Sequence, residues 1–144
     1  IKSVENSELI NVPQKHPQIK TKRYITKSIC YHAAHMANQI NARGITTLTN
    51  SGYTAFQISA WRPKAHILVY SSNKRIIPQL NLLWGVRAFY YDKFVSTDET
   101  LEDVNEMAVE KGYLEPEDMV ISLAAMPLDN KGMVNTLRVT QIKN

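Results

Sequence analysis

The sequence predicts an α/β domain built on a largely parallel sheet. Short β-branched runs alternate with segments of helical spacing from about residue 24 to residue 124. The loop before the last apolar run holds no helix, so that final strand has to return antiparallel, because a parallel return needs a crossover of about a dozen residues. At 144 residues the chain suits one core that folds without staples.

Residues 9–23 carry Pro13 and Pro17 among polar and basic neighbours, a composition that resists regular structure. Ahead of them Ile1, Val4 and Leu9 look like the stub of a helix whose partners lie upstream. Residues 1–23 therefore read as the end of a preceding domain and a linker, and 24–144 as the folded unit. Ile25, Ile29, Ala33, Met36 and Ile40 then follow helical spacing, which predicts a helix over 24–42 stopped by Gly44. Ile45 to Thr49 is a strand, and Ala55, Ile58 and Trp61 mark a second helix ended by Pro63. His66 to Tyr70 is the next strand, Asn73 to Leu83 a short helix, and Val86 to Tyr90 a third strand.

Ser96-Thr97-Asp98-Glu99 has the form of a capping box, so a helix should start there. Its buried stripe is Leu101, Val104, Met107 and Ala108, and Gly112 stands where a left-handed cap belongs. Asp118 to Ala124 is a buried fourth strand, and Val134 to Ile142 the antiparallel fifth. No fixed-period repeat suggests a solenoid.

The net charge of +4 comes largely from Lys15, Lys20, Lys22, Arg23 and Lys27. That cluster admits an anionic partner, yet basic and aromatic residues are not interleaved as in a nucleic-acid module, so no nucleic acid is expected and a solvated basic segment is the plainer account. Apolar runs are a few residues long, far short of the roughly 20 that cross a bilayer, and no secretion signal opens the chain. The single Cys30 cannot form an internal disulfide and has no evident nucleophilic partner, which reads as a cytoplasmic protein with a structural thiol.

Chemistry concentrates at Thr49-Asn50-Ser51-Gly52-Tyr53-Thr54, where a strand end meets a helix start. Helix N–H groups and the positive dipole end suit a phosphate there, with Thr49, Ser51 and Thr54 as hydroxyl donors and Gly52 permitting close approach. The same residues are also what an ordinary cap and turn require, and taken alone they favour that plainer account. Neither a nucleotide P-loop nor a dinucleotide glycine turn is present. A second loop, Met126 to Gly132, offers Lys131 to an anion, although its Pro, Asp, Asn and Gly content fits an exposed turn. His32 and His35 lie three apart on the first helix, with His32 flanking the apolar face. A stable metal site needs more ligands than this pair supplies.

An ordered series of segments gives these features a family. Ser51-Gly52-Tyr53-Thr54-Ala55, Ile58-Ser59, Arg62-Pro63-Lys64-Ala65 and Ile67-Leu68 resemble the C-terminal domain of pyruvate kinases, and Asn73, Gln79-Leu80 and Leu83-Trp84-Gly85-Val86 continue the likeness. So do Gly112, Asp118-Met119-Val120 and Gly132 with Asn135 to Val139. The resemblance implies a three-layer α/β/α sandwich, with a five-stranded mixed sheet of order 3-2-1-4-5 and strand 5 antiparallel. The loops 49–54 and 125–133 would flank one crevice at the reversal of strand order.

It further implies a parent enzyme that transfers phosphate from phosphoenolpyruvate to ADP in glycolysis. The catalytic residues of that parent, with its Mg and K ions, lie in an upstream barrel, so no catalytic residue, metal ligand or cofactor is expected in this chain. Its expected work is subunit assembly, in a homo-oligomer that is tetrameric for the parent, and binding of a phosphorylated effector. The candidate contacts are Thr49, Asn50, Ser51, Gly52, Tyr53, Thr54, Lys131 and Gly132. Two departures weaken that last expectation. Many relatives have Ser-Gly-Thr-Thr-Asn where this chain has Lys131-Gly132-Met133-Val134-Asn135, and Ala125 replaces a usual glycine. The rival expectations are a free-standing small-anion-binding or protein-interaction module of the same fold, and a basic nucleic-acid binder.

Overall fold

A computed structural model describes residues 22–49, 51–93, 96–125 and 134–143. The expected stub and most of the linker lie outside them. In chain order the elements are α1 (Lys22–Ile40), β1 (Gly44–Leu48), α2 (Tyr53–Ala60), β2 (His66–Ser71), α3 (Ile77–Leu80), β3 (Val86–Tyr90), α4 (Thr97–Glu110), β4 (Met119–Ala124) and β5 (Thr136–Gln141). The sheet order is β3-β2-β1-β4-β5. β1 pairs parallel with β2 and β4, β2 parallel with β3, and β5 antiparallel with β4.

Alternation of side chains along each strand splits the core into two layers. Ile45, Ile67, Val69, Val86, Ile121 and Leu123 face α1 and α2. Leu68, Tyr70 and Val120 face the other way, onto Val104 and Ala108 of α4. The Tyr70 hydroxyl donates to the Val104 carbonyl at 3.1 Å, which ties the sheet to the middle of α4. On that same side Thr46 Oγ1, Ser122 Oγ and Asn105 Oδ1 are buried without a hydrogen-bond partner among the described residues.

α1 differs from its expected face. Thr26, Cys30, Ala33, Ala34 and Ala37 are buried, whereas Ile25 and Ile40 are exposed. Small side chains let the helix backbone lie close to the sheet and to α2, and the larger apolar residues flank that line of contact. The helix also ends earlier than Gly44. Asn41 takes the left-handed conformation at φ 56° and the Ala42 N–H donates to the Ala37 carbonyl at 2.9 Å, closing a Schellman motif. The expected helix over 73–83 contracts to the four residues of α3, because Asn73 Oδ1 accepts from the Arg75 N–H at 3.1 Å and Pro78 confines the helix to starting there.

At α4 the Ser96 hydroxyl accepts from the Glu99 N–H at 3.2 Å, as expected of a cap. The Glu99 carboxylate accepts from the Ser96 hydroxyl at 3.1 Å, a side-chain version of the reciprocal bond. Gly112 closes the helix at φ 88°.

Ile121 is fully buried between β1 and β5 in the α1-facing layer. Ile121→Ala should lower unfolding free energy by about 2–5 kcal/mol, read from urea denaturation, with the slope of the transition preserved.

Candidate functional site

The turn after β1 and the start of α2 form the best-defined candidate. Gly52 is the residue before the helix, at φ 85°, and the first helical bond runs from the Phe56 N–H to the Gly52 carbonyl at 3.1 Å. The Gly52 N–H donates to Thr49 Oγ1 at 3.0 Å and the Tyr53 N–H to Ser51 Oγ at 3.3 Å. The N–H groups of Thr54 and Ala55 precede the first helical bond and have no partner within the helix, and Gly52 has no side chain to cap them.

Side chains at the turn point in different directions. Thr54 is 3% exposed and Ala55 fully buried, backbone included, so the Thr54 hydroxyl does not face the outside of the turn as a donor. Ser51 is exposed, and Thr49 and Tyr53 are half-buried. Gly52 is buried, and a Cβ there would lie 3.0 Å from Leu80 Cδ2, so the glycine admits α3 against the turn as well as supplying the left-handed bend. Asn50, Lys131 and Gly132 lie outside the described residues.

Two α1 residues that the sequence did not single out for this site connect its two sides. Cys30 Sγ donates to the Thr54 carbonyl at 3.8 Å, and one turn earlier Thr26 Oγ1 donates to the Val134 carbonyl at 3.3 Å. Val134 itself is buried in the α1-facing core, so this departure from the family pattern goes to packing. The legible signal was a threonine four residues before the cysteine in a run of small residues, which puts both on one helical face.

A second feature lies at the other end of α2. Phe56, Ser59, Ala60, Arg62, Leu82 and Trp84 help to line an open cavity of 310 Å³. The Ser59 hydroxyl donates to the Trp84 carbonyl at 2.8 Å, and the Arg62 guanidinium carbon lies 5.4 Å from the centre of the Trp84 ring. Leu82 is 86% exposed and Phe56 60%, with Trp61 beside them at 53%. His32 and His35 are both exposed, His32 included, and are occupied by neighbours. His32 Nδ1 lies 2.7 Å from the Ser28 carbonyl and His35 stacks on Tyr31 at 5.6 Å. Among the described residues no three His, Cys, Asp or Glu side chains come together to hold a metal ion, and no helix is long and apolar enough to cross a membrane.

Residues 27–140 match the family described as pyruvate kinase, alpha/beta domain. The chain belongs to this family. It is 32% identical over 123 residues to the pyruvate kinase of Clostridium acetobutylicum, covering 85% of this chain and 25% of that protein. With the pyruvate kinase of Lactobacillus delbrueckii subsp. bulgaricus it shares 32% over 120 residues, covering 83% and 20%, and with that of Geobacillus stearothermophilus 30% over 142 residues, covering 99% and 24%. The chain thus spans a quarter or less of the length of these pyruvate kinases. In this pyruvate kinase alpha/beta domain the Thr49–Thr54 turn stands at the carboxyl end of β1, beside the reversal of strand order between β1 and β4. Ligands of open α/β sheets gather at such points.

Gly52→Ala should cost about 1–2 kcal/mol for the left-handed Cβ and more for the displaced Leu80, whereas Gly112→Ala, with open space around its Cβ, should cost the backbone part alone. Thermal melts of the two variants measure the difference. Burial pushes the Cys30 thiol up from 9.0 to about 12. Above pH 9 the unfolded chain releases this proton while the folded chain keeps it, so the contribution is complete below that pH and is lost as the pH rises toward 12. Denaturation of Cys30→Ala across that window should show a shallower loss of stability than the parent, by up to about 1.4 kcal/mol per pH unit.

Proposed function

We propose that this chain is the assembly and control domain of a pyruvate kinase whose parent moves phosphate from phosphoenolpyruvate to ADP in the cytoplasm. The isolated domain carries out no turnover. The observation that carries this reading is the Thr49–Thr54 turn, which leads into the N-terminus of α2 at the strand-order reversal. A phosphorylated effector would meet the positive end of α2 and the Ser51 and Thr49 hydroxyls, with Lys131 and Gly132 as further candidate contacts from the sequence. In this reading the Mg and K of the parent belong to its upstream barrel.

The exposed face of Phe56, Trp61, Leu82 and Trp84 is the surface proposed to seat against the remainder of the parent, an upstream barrel. Large aromatic side chains left in water mark interaction surfaces. The relatives' greater length supplies such an occupant. Homo-oligomeric association, tetrameric for the parent, belongs to the same reading.

The test is a titration of the isotopically labelled chain with inorganic phosphate and with a sugar bisphosphate. Amide signals of Ser51 to Ala55 and of Lys131 and Gly132 should shift saturably. Shifts confined to other residues would remove the turn from the reading, and turnover of phosphoenolpyruvate and ADP by the purified chain would remove the non-catalytic role.

A further inference from the structure

The amino ends of β1, β2 and β3 gather a second set of groups, at the end of the sheet opposite the Thr49–Thr54 turn. His66 opens β2 and pairs with Gly44, and its N–H donates to the Arg43 carbonyl at 3.0 Å. Arg87 pairs with Leu68, which places it on the same face of the sheet as His66. Phe89 follows on that face. Tyr113, from the turn after α4, packs against both aromatic neighbours, with ring centres 5.7 Å from His66 and 5.9 Å from Phe89. Lys111 Nζ stands 5.1 Å from the centre of the Phe89 ring. Arg43, His66, Arg87 and Lys111 are all exposed.

No ion pair among the described residues engages Arg43, Arg87 or Lys111, while Arg138 pairs with Asp98 at 2.7 Å. Partial burial first, and then the cationic charges of Arg43 and Arg87, hold the His66 pKa below the ordinary imidazole value. Glu115, Glu117 and Asp118 sit on the segment leading into β4. None of them is among the charges that act on His66, and Asp118 Oδ2 accepts from the Glu115 N–H at 2.8 Å.

We propose that this corner, formed by Arg43, His66 and Arg87 with Lys111 at its rim, is an anion site that takes a phosphate group. Arg87 Nη1 donates to the Val86 carbonyl at 3.0 Å, and its remaining N–H donors, with the Arg43 guanidinium and an imidazole, suit the several oxygens of a phosphate better than the two of a carboxylate. The Phe89 and Tyr113 rings beside them, inclined 55° to each other, offer apolar surface to a nucleoside carrying that phosphate, and to free phosphate they offer nothing. The site is separate from the Thr49–Thr54 turn and does not rest on the function proposed for it.

The experiment follows the His66 ring signals and the backbone amides of the full labelled chain at low salt, with inorganic phosphate in one arm and a nucleoside monophosphate in the other. The bound anion should raise the His66 pKa, because it offsets Arg43 and Arg87. Amides at 43–44, 66, 87 and 113 should shift saturably, and tighter binding in the second arm would assign the rings a share. Arg87→Gln and Arg43→Gln should each weaken binding about tenfold or more, and added salt should weaken it too. Lys64→Gln, an exposed change on the α1 side, should leave it intact, and an equal loss there would mean diffuse charge attraction and overturn the site. So would an unmoved His66 in both arms. Shifts at 51–55 with none at this corner would reject this site and leave the effector turn standing, and the reverse pattern would do the opposite.

Discussion

Parallel strands can be joined only by crossovers of one hand, and in this sheet that constraint decides where each helix lies. From β1 the chain steps to β2 and then β3 in one direction, which places α2 and α3 on a single face. It then jumps back across the sheet to add β4 on the far edge of β1. The same hand applied in the opposite direction puts α4 on the other face. β1 is therefore hydrogen-bonded on both edges and covered on both sides, and its carboxyl end is where the two directions of growth part. The Thr49–Thr54 turn occupies that parting because the topology leaves the space open there.

α1 makes the space a defined one. Its buried line of Thr26, Cys30, Ala33, Ala34 and Ala37 is too small to fill a large cavity and so brings the helix close to the sheet. Close approach puts the Cys30 thiol and the Thr26 hydroxyl within reach of the Thr54 and Val134 carbonyls, which lie on opposite sides of the parting. A thiol at that depth is a packing group and a weak donor, consistent with its raised pKa. Larger side chains on this line would push α1 outward and release both carbonyls together.

Much of the fold was legible because local chemistry and topology agreed. The Ser96 cap, the Gly112 stop and the antiparallel return of β5 each followed from residues whose local preference matches their tertiary setting. The errors have two causes. Ile25 and Ile40 were expected to be buried because they are apolar and correctly spaced, yet side-chain size decided which face met the sheet. Residues 73–83 showed helical spacing, but Asn73 and Pro78 set the local backbone and the helix shrank to one turn. At the site the sequence marked Thr49 to Thr54, though it gave no direction to their side chains. That Thr54 turns inward, and that the space beyond Gly52 belongs to Leu80, depends on α3 and on the core. The cavity beside Trp84 needed two segments about 25 residues apart to meet, which no local pattern encodes.

α2 is eight residues long, about 12 Å from end to end. Its first turn follows directly on the Thr49–Thr54 turn, and its last turn holds the Trp84 carbonyl through Ser59 beside the exposed Phe56, Leu82 and Trp84. Two turns of hydrogen-bonded helix bend very little, and neither glycine nor proline interrupts them. The Thr49–Thr54 turn and the Trp84 carbonyl are therefore held at a fixed spacing by one stiff element.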